Sequence, residues 1–164
     1  MGTFKKGGKV VSYKRTISFG LAILFFFIAT FASWYEGSEL VDNSYEWKHT
    51  AVFTSWIHEG EVERETISQL DYFVYSIKFK PIFPVIMMVS FIYMVFTLGI
   101  NVLKSATKRN LFVSVLGVVL LIGAGVISSS PTSGAKVFIL SLLVVGFFLL
   151  GSAAFHHFRK VQLD

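Results

Sequence analysis

The chain alternates between long stretches of unbroken apolar residues and short stretches in which the charges are gathered. Residues 17–34, 82–103, 111–128 and 137–155 contain no Asp, Glu, Lys or Arg at all. Each is close to the ~20 residues that a helix needs to cross a ~30 Å hydrocarbon layer. The first holds ten Leu, Ile or Phe residues, each contributing about −0.3 to −0.6 kcal/mol to insertion, with no charged residue to oppose them. The later segments are rich in Val, a strand former in water. In hydrocarbon, however, the backbone must satisfy its own hydrogen bonds, which selects helix. Barrel strands alternate apolar and polar positions, and these runs do not. The pattern therefore predicts an all-α membrane protein with four transmembrane helices. Its expected organisation is a basic N-terminus at 1–16, helix one at 17–34, an outer loop at 35–80 and helix two at 81–103. A short loop at 104–110, helix three at 111–128, an outer turn at 129–136, helix four at 137–155 and a tail at 156–164 complete it.

The loop at 35–80 is too long and too aromatic to be a turn. Trp47, Trp56, Tyr45, Phe53, Tyr72, Phe73 and Tyr75 supply apolar area with polar handles, suited to a folded cap or to the headgroup level of a bilayer. The stretch AVFTSWI followed by HEGEVERET allows a short hairpin. Further on, Ser68 and Asp71 have the form of a capping box. Leu70, Phe73, Val74 and Ile77 then share one helical face, which predicts a short amphipathic helix. Pro81 and Pro84 suit the first turn of the next helix and mark a bend between surface helix and span.

Charge adds an orientation. Lys5, Lys6, Lys9, Lys14 and Arg15 precede the first run, Lys104, Lys108 and Arg109 lie between the second and third, and Arg159 and Lys160 follow the fourth. Nine of the ten acidic residues lie in the first outer loop. An excess of Lys and Arg marks the cytoplasmic face, so both termini are expected inside and the 35–80 loop outside. The net charge of +5 is thus a matter of topology, and no nucleic-acid partner is expected. A competing reading is a cleaved signal peptide ending at Ala32. Against it, the run is long for a signal core, and Trp34 and Tyr35 read as interfacial anchors. The chain has no cysteine, which removes disulfides and thiolate chemistry and distinguishes it from claudin-like four-span proteins with their paired loop cysteines.

The stretches ASWYEGSELVDNSYEWK and ISQLDYFVYSIKFKPIFPVIMM, taken together, resemble the YjdJ-like family of small bacterial membrane proteins. The resemblance covers about 19–103 and leaves the second helical pair outside it. It implies a bacterial cell-membrane protein with no assigned activity, and so brings no catalytic residues.

Candidate chemistry is sparse. His58 with Glu59, Glu61, Glu63 and Glu65 matches no metal motif and reads better as a solvated acidic edge, so no metal or cofactor is expected. His156 and His157 suit a helix C-terminus. No ionisable group lies within a run, which argues against ion-coupled transport. Thr97 and Asn101 are placed to bond across helices, and Gly117, Gly123, Gly125, Gly146 and Gly151 permit close helix approach. The expected function is that of a non-enzymatic accessory protein. Its partners would be the bilayer and another membrane or envelope protein, met through Trp47, Trp56, Glu36, Glu39, Glu61 and Tyr72. An oligomeric permeation pathway and an envelope enzyme using His58 and its neighbouring carboxylates are the alternatives.

Overall fold

The computed structural model describes residues 13–161, with side chains through 156; Lys5, Lys6 and Lys9 lie outside the described residues. Every regular element among them is helical. Four helices are long and apolar enough to cross a membrane. These are α1 (Tyr13–Gly37), α5 (Ile82–Val102), α6 (Ala106–Ile127) and α7 (Ser133–Val161). Between α1 and α5 lie the short helices α2 (Trp47–Thr50) and α3 (Val52–Ile57) and the longer α4 (Gln69–Phe79). Helix α1 runs unbroken through Ala32 and continues to Gly37.

The long helices pack as two antiparallel pairs, α1 with α5 and α6 with α7. Small residues make the first pair possible. Ala22, Ala29, Ser33 and Gly37 form the buried stripe of α1, the last three at a spacing of four, which lets backbones approach closely. The Ser33 hydroxyl is buried without a hydrogen-bond partner, so its small size accounts for its place. Phe26 meets Phe91 with ring centroids 5.9 Å apart. At the far end Arg15 donates to the Asn101 side chain at 2.9 Å, the cross-helix bond for which Asn101 is placed by its sequence position.

In the second pair Val113, Gly117, Leu120 and Ala124 are buried on α6. Their 4-3-4 spacing is that of a left-handed coiled seam. Gly117 and Gly146 form the crossing: a Cβ on Gly117 would lie 3.1 Å from the Gly146 carbonyl oxygen, and one on Gly146 would lie 3.2 Å from that of Gly117. Gly123, Gly125 and Gly151 face open space instead.

One apolar core joins the pairs. Met88 and Ile92 of α5 enter it with Val113, Leu120, Phe138 and Leu142, and Ile77, Val85 and Phe96 pack against it. The prolines behave as their positions require. Pro81 is the N-cap of α5 and Pro84 lies in its first turn, where no helical N–H partner is lost.

Candidate interaction surface

The loop folds as a cap built around α4. That helix lies across the ends of both helical pairs, touching each through a glycine. A Cβ on Gly37 would overlap the Tyr72 backbone carbonyl, and one on Gly134 would overlap the carbonyl of Lys78. Neither obstacle is a side chain that can swing aside.

Over α4 the preceding chain closes a small apolar core of Leu40, Ile67 and Tyr75, flanked by Val41, Trp47, Val62 and Tyr72. Trp47 donates its indole N–H to the Leu40 carbonyl at 2.8 Å, so its polar edge is satisfied while its rings fill the core. Beside this core sits a buried polar network. The Asp71 carboxylate accepts from the Phe53 N–H (2.8 Å), the Thr54 N–H (2.9 Å) and the Thr54 hydroxyl (2.6 Å). The same hydroxyl accepts from the Ser68 N–H at 2.8 Å. Asp71 thereby caps the N-terminus of α3 from a distance of 17 residues, supplying the acceptors that a helix start lacks and the negative charge it favours.

This network corrects two expectations. Ser68 does cap α4, accepting from Leu70 N–H at 3.3 Å, but Asp71 does not complete a capping box with it; the carboxylate turns to α3. The predicted amphipathic helix is α4 itself, with Phe73, Val74 and Ile77 half-buried on the face they share. Asp71, Tyr75 and Ser76 are the buried residues of α4, and Leu70 is exposed. The hairpin is absent as well. Its turn exists at His58–Gly60, with positive φ at Glu59 and Gly60, but residues 52–57 before it are helical because Asp71 satisfies the first N–H groups of α3.

Lys78 closes the other side of the cap, donating to the His49 carbonyl and, at 3.4 Å, to the Thr50 hydroxyl. Burial lowers its pKa from 10.5, partly offset by Glu46. Between that lowered value and 10.5 the unfolded chain binds more protons than the folded one, so the Lys78 contribution to stability rises with pH across the window. Comparing Lys78→Met with the parent by Trp fluorescence during unfolding, the parent's stability should gain on the variant's as pH climbs toward 10.5. A constant difference would show that this amine is not titrating there.

An open cleft of about 300 Å³ lies where α1 meets the cap, lined by Tyr35, Glu36, Ser38, Glu39, Asp42 and Lys80. Lys80 pairs with Glu39 at 3.4 Å, and Arg64 pairs with Asp42 at 2.6 Å. Both pairs are solvent-exposed and add little to stability. The cleft is thus a mixed-charge surface with Glu36 left outside either pair.

The six residues singled out by sequence divide accordingly. Glu36 and Glu39 share the cleft. Trp47 and Tyr72 are half-buried and serve the cap core. Trp56 stands 83% exposed on α3, near Ile57 at 66%, while Tyr45 reaches 91%. Glu61 is exposed beyond the turn and does not line the cleft. His58, Glu59, Glu63 and Glu65 are likewise exposed, and among the described residues no three His, Asp or Glu side chains converge as a metal site. Sequence reasoning missed the role of Asp71 and the placement of Lys80 opposite the acids. The signal for Asp71 was present: it is a lone acid inside the run LDYFVY.

Comparison with known proteins agrees with the resemblance. One similar relative, "Uncharacterized protein YjdJ" from Bacillus subtilis (strain 168), is 34% identical over 79 residues, which span 47% of this chain and 72% of the relative. No solved structure matches. Residues 16–103 match the family described as Domain of unknown function (DUF4306), and the chain is a member of that family.

Proposed function

We propose that this is a non-enzymatic, multi-pass protein of the bacterial cell membrane whose cap docks another membrane or envelope protein. Four apolar helices support the membrane reading. The basic residues at the start of α1 and between α5 and α6 lie at the end away from the cap, which favours a cytoplasmic position for that end and an outer one for the cap.

One observation carries the docking role. The cap buries Leu40, Tyr75 and even the charged Asp71, yet leaves Trp56, Ile57 and Tyr45 uncovered. Large aromatic residues exposed on an ordered scaffold are the kind of anchor that protein interfaces use. The cleft with Glu36 and Glu39 adds charge that selects a partner. A photo-crosslinking residue at Trp56 should yield a discrete protein adduct in intact cells, whereas one at the half-buried Trp47 should not. Background alone from Trp56 would overturn the reading.

A further inference from the structure

The family match ends at residue 103, one residue past α5, so α6 and α7 lie wholly outside it. The matched 79 residues are 72% of the YjdJ relative, making that protein about 110 residues long and leaving about 30 outside the match, fewer than the ~40 that two further crossings need. A relative of about 110 residues has room for a unit the length of 16–103 but not for a second pair of crossings beside it.

The packing follows the same division. Backbones meet within the family unit, where Gly37 of α1 lies against Tyr72 of α4, and within the second pair, where Gly117 lies against Gly146. Between α5 and the second pair the contact is made by large side chains. Val85, Met88, Ile92 and Phe96 recur along one face of α5 at spacings of three and four, and all belong to the core shared with α6 and α7. Gly99 continues the face, and the Phe112 ring of α6 lies against it; α1 takes a different part of α5, including Phe91. At the cap end the seat is closed by Ile77 and by Gly134 against the Lys78 carbonyl.

We propose that the α4–α5 face of the family unit is a docking surface for an antiparallel pair of membrane-spanning helices, and that α6 and α7 fill it within the same chain. The partner it fits has an apolar seam of 3-4 spacing and a glycine where its second helix starts, because only a residue without a Cβ clears the Lys78 carbonyl. This rests on the membrane reading but not on what the cap binds.

The test uses the full chain, tagged at its N-terminus, with a specific protease site inserted at Lys104, between α5 and α6. After cleavage in mild detergent, the α6–α7 piece should stay with the tagged piece. Gly134→Val should raise its release about tenfold, the equivalent of roughly 1.4 kcal/mol of lost docking. The double variant Met88→Ala with Ile92→Ala, which introduces no clash, should raise it similarly, and Gly151→Val, at a position facing open space, should not. Separation of the unaltered pieces on cleavage would overturn the proposal. So would equal retention in all the variants. Loss of the crosslink at Trp56 would leave this result untouched, so the two readings fail independently.

Discussion

Gly37→Val should destabilise the protein by about 3 kcal/mol or more, the upper range for forcing extra atoms into a packed site. The added Cβ would overlap the Tyr72 carbonyl, and that atom belongs to the backbone of α4. Relief requires moving the whole helix, and with it the cap core of Tyr75, Leu40 and Ile67. A useful comparison is Gly20→Val in the same helix, where no atom lies within 4 Å of the new Cβ. Thermal unfolding in detergent should place Gly37→Val well below the parent and Gly20→Val close to it. Equal midpoints for the two would mean that α4 does not rest on α1 at residue 37.

Asp71→Ala should cost about 3–5 kcal/mol of cap stability. The substitution leaves the buried Thr54 N–H and hydroxyl and the part-buried Phe53 N–H without their acceptor, and each orphaned group costs about 1–3 kcal/mol before partial relaxation. Asp71→Asn is the sharper variant. It keeps the shape but replaces one oxygen with an NH₂ that faces donors, so it should also be unstable. The expected signs are faster proteolysis near Glu59–Gly60 and a changed Trp47 fluorescence, with the long helices intact by circular dichroism. If Asp71→Asn matched the parent in both, the carboxylate would not be organising α3.

These two positions also show where the sequence was readable. The four long helices announce themselves because hydrocarbon tolerates no charge along about 20 residues, a demand that leaves an unmistakable run. Pro81 and Pro84 mark the start of α5 because proline's missing N–H is harmless only there. The membership of the family was legible in the matched aromatics, glycine and prolines between α1 and α5. Inside the cap the local signals mislead. Residues 51–57 have strand-like composition, and only a carboxylate far along the chain makes them helical. Trp47 and Tyr72 resemble surface aromatics until Leu40, Ile67 and Val62 are folded over them. The spacing of Ala29, Ser33 and Gly37 was visible, but its meaning depends on which helix lies opposite. Of the six candidate residues, then, Glu36 and Glu39 line the cleft, Trp56 and Glu61 are exposed, and Trp47 and Tyr72 pack on the cap core, while the residues that hold that surface in shape were hidden by their dependence on distant partners.

The contacts of α4 at Tyr72 and Lys78 have a mechanical consequence. Six residues of helix measure about 9 Å, and the span between those two carbonyls is a stiff hydrogen-bonded rod. It acts as a gauge block that fixes the gap between α1 and α7 at the cap end, while at the opposite end the approach of α5 to α6 rests on the Phe112 side chain lying on Gly99. Thermal motion of one pair against the other will accordingly pivot about the cap and be widest at the basic end.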